Sequence, residues 1–343
     1  MDRHQPVVTP CAWRASDLHD PAQWTAHLTT DDATEIGHAL EAVQRKSLPL
    51  EAITRNNFPL PGLALRLREW RNEVLHGRGF ILLRGLPVET RTEQQNRIVF
   101  AGLSSHIGRP VSQNSYGDLL GDIVDTGKRM GTGKVRGSLT NENLRFHTDR
   151  CDVVGLLCLQ KAAQGGLSSI CSSMAIFNRI LGAHPEYLEP LFAGCYYANI
   201  EEGGDMSLWR VPIYSKRDGV LSCRYSRNTI ASIVKMGLAS LTPLEERALD
   251  YMDELAGNSE FRIDMDLQPG DIQFINNYTT LHGRTNYVDD PAANRRRHLF
   301  RIWINVSEGR RPLGHESFDE YMGVPKTLSR GSTARISVPL HRG

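Results

Sequence analysis

Phe146-His147-Thr148-Asp149 is the stretch on which the reading of this chain turns. In an extended segment alternate side chains share a face, so His147 and Asp149 present an imidazole and a carboxylate to the same side. Alone, a His-x-Asp triplet reads more readily as a capped surface histidine beside a turn aspartate. The surroundings decide. Just upstream, Gly127 to Gly137 is glycine-rich and basic with no apolar period, which predicts a mobile loop placed where an active-site lid would sit. Just downstream, Val153-Val154-Gly155-Leu156-Leu157-Cys158-Leu159 reads as a strand.

Further out, strand signals recur at Asp118 to Asp125, Cys195-Tyr196-Tyr197, Val211 to Tyr214, Phe261 to Met265, Asp271 to Ile275 and Leu299 to Ile304. The front of the chain is different. Thr30-Asp31-Asp32 caps a run with Ile36, Leu40 and Val43 at helical spacing; Leu63, Leu67, Trp70 and Val74 form a second helix; Thr92 to His106 carries a third. Phe80-Ile81-Leu82-Leu83 is a short strand between them, and helices also fit Met174 to Leu181 and Leu244 to Leu255. Many short strands with helices gathered at the front predict a mainly β fold with helical cover, a barrel or jelly roll. The expected organisation is a single domain over 1–343: a mostly helical cover to about 78, a core over about 79–306, and a tail over about 307–343.

Composition excludes several classes of function. Forty Lys and Arg against 39 Asp and Glu leave no basic footprint for nucleic acid or an anionic membrane surface. No run is apolar and long enough to span a bilayer, and no secretion signal is read at the amino terminus, so a cytoplasmic protein is expected. Six scattered cysteines with no Cys-x-x-Cys pair read as reduced thiols, Cys151 being notable for its place two residues past Asp149. A small-molecule substrate is the expected partner, with a homo-oligomer left open.

A third polar position, His282 in Leu281-His282-Gly283-Arg284, ends a strand-like segment entered by the Pro269-Gly270 turn. Two imidazoles and one carboxylate can hold a divalent iron on one face and leave the other open, the ligand set of non-heme Fe(II) oxygenases. Arg301 lies among Leu299, Phe300, Ile302 and Trp303, where an unpaired guanidinium is costly to bury, so an anion is expected beside it. The Arg295-Arg296-Arg297 run also reads as a solvated basic strand edge. His298 is expected to point away from the face of Arg297 and Arg301.

In order along the chain, His147-x-Asp149, Gly165-Gly166-Leu167-Ser168, Gly270-Asp271, Asn277 five ahead of His282, His282-Gly283-Arg284 and Arg297-x-x-x-Arg301 resemble the taurine dioxygenase and clavaminate synthase-like family of Fe(II)/2-oxoglutarate oxygenases. The resemblance runs from about Phe80 to Val306. It implies a double-stranded β-helix with iron on His147, Asp149 and His282, and 2-oxoglutarate and dioxygen as co-substrates. By position Arg297 matches the arginine that pairs with the distal carboxylate of 2-oxoglutarate, and Ser168 the hydroxyl residue that helps it. Arg301 matches a neighbour that faces either the substrate anion or the keto-acid end, and Asn143 a substrate-contacting asparagine. The two arginine roles are exchangeable on this reading, because the segment from His282 to Arg297 is longer than in taurine dioxygenase. Arg284 and Tyr116 are further candidates for the substrate. Asp149 implies hydroxylation, desaturation or another oxidation rather than halogenation, since related halogenases lack the carboxylate. The competing readings are a metal-binding jelly roll acting as a sensor without turnover, and a zinc hydrolase on the same ligands.

Overall fold

The computed structural model describes residues 5–114, 117–129, 137–199, 206–290, 292, 295–319 and 336–338. Tyr116, residues 130–136 of the expected lid loop, and most of the expected tail lie outside these.

Sheet and helix are mixed as the strand and helix signals predict. The larger sheet runs, in spatial order, Thr25–His27, Phe80–Arg84, Ile272–Asn276, Val153–Gln160, His298–Asn305 and Arg109–Val111, with Leu120–Ile123 also pairing His298–Asn305. The smaller sheet runs Arg262–Met265, Ser168–Ser172, Thr280–Arg284 and Leu144–His147. Residues far apart in sequence are thereby neighbours: Thr280–Arg284 lies between Ser168–Ser172 and Leu144–His147, antiparallel to both.

Strand alternation sorts the side chains into three layers. Between the sheets, Val154, Leu156, Ile275, Leu299 and Trp303 of the larger meet Ile170, Ile263 and Met265 of the smaller in one buried cluster. On the outer face of the larger sheet, Leu157, Phe274, Phe300 and Ile302 pack against the helices Thr30–Arg45, Ala64–Leu75 and Glu93–Ile107 through Leu40, Trp70, Val74 and Phe100. On the outer face of the smaller sheet, Cys171 and Leu281 pack against Ser173–Ala183 and Pro243–Gly257 through Met174, Phe177 and Met252. Fully burying each such large apolar side chain is worth about 1.5–3 kcal/mol. Reciprocal capping boxes, Thr29 with Asp32, Thr92 with Gln95 and Thr242 with Glu245, fix where three of the helices begin.

His298 does turn away from Arg301: it meets Asp122 at 2.8 Å and lies edge-on to the Phe300 ring, while Arg301 shares the intersheet side with Leu299 and Trp303. All six cysteines are buried and unpaired, as reduced thiols require. The segment Val211 to Tyr214, expected as one strand, is two: Met206–Val211 ends before Pro212, which has no N–H for a ladder, and Tyr214–Arg217 starts afresh. No helix among the described residues is long and apolar enough to cross a membrane.

The Pro269-Gly270-Asp271 turn locks the strand that precedes the second histidine. Asp271 is fully buried and receives Arg84 through two bonds of 2.9 and 2.7 Å. Gly270 has φ +86°, and a Cβ there would stand 2.0 Å from the Leu86 carbonyl oxygen. Gly270→Ala is therefore expected to lower stability by about 1–3 kcal/mol, read as a lower urea midpoint at unchanged slope.

Candidate metal centre and anion pocket

His147 and His282 are direct cross-strand partners, on the last residue of Leu144–His147 and the middle of Thr280–Arg284. Register alone brings their rings to 4.3 Å between centroids. Asp149 follows in the connection to Val153–Gln160. Its Oδ1 lies 3.9 Å from His147 Nε2 and its Oδ2 3.8 Å from His282 Nε2. One ligand atom from each residue falls within 4.8 Å of the others, the spacing of donors that can converge on a single ion.

The connection carrying Asp149 is pinned from both sides. Thr148 N donates to the Tyr225 carbonyl at 2.8 Å, and Tyr225 N donates back to Thr148 Oγ1 at 3.1 Å. Asn277 Oδ1 accepts from Asp149 N at 2.9 Å, and Asn277 Nδ2 donates to Cys151 Sγ at 3.2 Å. The asparagine five residues ahead of His282 thus acts on the loop that holds the carboxylate. His147 Nδ1 lies 2.9 Å from the Arg145 carbonyl, which can only accept, so Nδ1 carries the hydrogen and the Nε2 lone pair faces the cluster.

Charge is arranged to suit a cation. Burial alone would raise the Asp149 pKa, but Arg301, the two histidines and the Trp303 indole bring it down to about 2. Arg301 Nη1 stands 3.4 and 3.5 Å from the Asp149 oxygens, and Trp303 Nε1 donates to Oδ2 at 2.9 Å. Burial first, and then His147, lowers the His282 pKa to about 3, and burial likewise lowers that of His147. The centre therefore offers one anionic and two neutral donors at neutral pH. Gln113 keeps Arg301 in place, accepting from its Nε at 2.8 Å and donating to its carbonyl at 2.7 Å.

A cavity of about 280 Å³ opens at this cluster, lined by His147, Asp149, Arg301 and Trp303 together with Tyr197, Trp209, Arg224 and Tyr225. Among the described residues, Asp149 is the one acidic side chain in its lining, against Arg150, Arg224 and Arg301. Of the expected substrate residues, Arg284 and Asn143 are not in that lining. Asn143 is exposed just ahead of Leu144–His147, and Arg284 sits beside Arg297. Both arginines are 5% exposed, and each guanidinium lies against the Tyr287 ring, at 4.9 Å for Arg284 and 5.2 Å for Arg297. Arg297 Nη1 is buried with no hydrogen-bond partner, and among the described residues Arg297 has no ion-pair partner. Arg295 and Arg296 are exposed, so the solvated-edge reading holds for them and fails for Arg297. Ser168 is buried, pairs with Arg284 in strand register, and donates to Gln273 Oε1 at 2.8 Å. Trp303 reads in the sequence as part of a strand, and Gln113 carries no signal that marks it as a site residue.

Two imidazoles and a carboxylate within reach of one ion, set in a two-sheet core beside a cavity, are the ligand set that mononuclear non-heme iron oxidoreductases use. The chain belongs to the taurine catabolism dioxygenase TauD, TfdA family, which it matches over residues 44–303. It is similar to FR-33289 synthase of Streptomyces rubellomurinus, 34% identical over 312 residues that cover 89% of this chain and 92% of the relative. A taurine hydroxylase-like protein of Stachybotrys chartarum is 29% identical over 319 residues, 88% of this chain and 82% of that one. In fold it is similar to an asparagine oxygenase solved with Fe(II), 3-hydroxyasparagine and succinate, with a TM-score of 0.63, 18% identity and coverage of 82% and 93%. The non-heme iron oxygenase OrfP, solved with Fe and alpha-ketoglutaric acid, has a TM-score of 0.62, 16% identity and coverage of 84% and 100%.

His147→Ala is expected to abolish Fe(II) binding and succinate formation with an unchanged circular dichroism spectrum. Trp303→Phe, which removes the indole N–H from Asp149, is expected to weaken Fe(II) affinity about tenfold in anaerobic titration. Wild-type affinity in Trp303→Phe would show that this bond does not orient the ligand.

Proposed function

We propose that the chain is an Fe(II)/2-oxoglutarate-dependent dioxygenase that hydroxylates a small anionic or amino-acid-like metabolite in the cytoplasm, on a double-stranded β-helix formed by the two facing sheets. The observation that carries this reading is the His147, Asp149, His282 cluster in a chain that also buries a guanidinium, Arg297, with an unpartnered nitrogen and no counter-ion among the described residues.

The residues fit the groups the family uses. His147, Asp149 and His282 would hold the metal, and Arg297, with Ser168 on the adjoining strand, the distal carboxylate of 2-oxoglutarate. When bound, metal and keto acid supply oxidative decarboxylation to succinate and carbon dioxide, one atom of dioxygen entering the succinate and the other the substrate. The chain's own part is placement. A planar guanidinium fixes a carboxylate's orientation through paired hydrogen bonds. Arg301 and Trp303 keep Asp149 ionised and aimed. Gly166, at φ +73°, leaves room for the arginine, since a Cβ there would stand 2.9 Å from Arg297 Nε.

The cavity supports the substrate class. Its volume of about 280 Å³ suits a small metabolite, and three arginines against one aspartate favour an anionic head. Among solved relatives in fold, the asparagine oxygenase holds 3-hydroxyasparagine and OrfP holds (3S)-hydroxy-L-Arg, which agrees with an amino-acid-like substrate. Arg301, already engaged with Asp149 and Gln113, would face the substrate side of the centre, leaving the distal carboxylate to Arg297.

The test is succinate release with Fe(II), ascorbate and a panel of small acids. Turnover dependent on one of them supports the reading, and none with any acid tells against it. Arg297→Ala is expected to raise the 2-oxoglutarate requirement about 10–100-fold while changing the substrate requirement little. The reverse pattern would exchange its role with Arg301.

A further inference from the structure

Two buried guanidiniums, not one, lie against the Tyr287 ring. Arg284 is as buried as Arg297, and among the described residues neither has an ion-pair partner. Arg284 spends Nη2 on the Thr140 and Glu142 carbonyls, at 2.8 and 2.5 Å, which anchors the side chain. Its Nε and Nη1 remain buried without a hydrogen-bond partner, as do Arg297 Nη1 and the Tyr287 hydroxyl. Burial, then the charge of Arg297, lowers the Arg284 pKa to about 10. Two cations without an ion-pair partner among the described residues and four orphaned polar atoms on three neighbouring side chains are costly to bury, a cost that a bound anion would offset.

Strand geometry ties this place to the metal centre. His282 and Arg284 are two apart on Thr280–Arg284 and so point to the same side, and their partners on the next strand are Ile170, in the intersheet cluster, and Ser168. We infer that Arg284 and Tyr287 join Arg297 as a double-guanidinium receptor for the distal carboxylate of 2-oxoglutarate, an inference that rests on the function proposed above. Arg284 is then a determinant of co-substrate choice rather than a substrate contact.

The experiment compares 2-oxoglutarate with 2-oxobutyrate, which keeps the keto-acid end and lacks the distal carboxylate. Binding is measured calorimetrically on anaerobic Fe(II)-loaded protein, with succinate as a third ligand and thermal unfolding as a separate readout. Arg284→Gln is expected to lose about 10–100-fold in affinity for 2-oxoglutarate and for succinate while keeping its affinity for 2-oxobutyrate. Tyr287→Phe, a milder change that preserves the ring, is expected to lose about 3–10-fold in the same pattern. Unchanged 2-oxoglutarate and succinate binding in Arg284→Gln overturns the inference, and so does an equal loss for all three ligands. If Arg284→Gln does not fold, Tyr287→Phe decides by the same criterion. A wild-type protein that binds no 2-oxoglutarate overturns the proposed function itself, an outcome distinct from either variant result.

Discussion

A carboxylate buried between two sheets stays ionised only if the protein supplies charge and hydrogen bonds in place of water, and Asp149 is where this molecule meets that demand. Arg301 at 3.4 Å and the Trp303 indole at 2.9 Å face it from the larger sheet, while the two histidines face it from the smaller. The arrangement needs the two sheets to be packed together. Leu299 and Trp303 are as much part of the hydrophobic cluster joining the sheets as Trp303 is part of the ligand's support. Stability of the fold and geometry of the site are therefore the same packing problem.

Much of the site is readable in the sequence because its pieces are local. Alternation places His147 and Asp149 on one side, and a strand bounded by the Pro269-Gly270 turn precedes His282. The ordered motifs then name the arginines. What is not readable depends on pairings across long sequence gaps. Trp303 and Asp149 are brought together by the pairing of Val153–Gln160 with His298–Asn305, and nothing near Trp303 announces an acceptor. Gln113 acquires its role only when Leu119 and Arg301 present carbonyls to its amide.

The fold divides in the same way. Apolar runs mark five of the seven strands of the larger sheet and the amino-terminal helices, while the three-residue strands Thr25–His27 and Arg109–Val111 are too short to show a pattern. The strand Ser168–Ser172 escaped notice because its buried serines break the pattern, each having found a polar partner: Ser168 with Gln273, Ser169 with Asp264, Ser172 with the Cys11 carbonyl. The helix Arg227–Lys235 also passed unread, having only Ile230 and Ile233 buried, too few to mark a periodic face. Side chains of Tyr225, Trp209 and Arg224 around the cavity come from this less legible half of the chain.

The strand Thr280–Arg284 serves as a measuring rod. A residue pair two apart on a strand is separated by roughly 6.5 Å of backbone, so the His282 and Arg284 side chains leave the strand at an interval set by the polypeptide repeat, and the Thr140 and Glu142 carbonyls then fix where the guanidinium ends. Any anion that met both Arg284 and an ion on His282 would have to bridge that backbone interval, which substitutions at the cavity mouth leave unchanged.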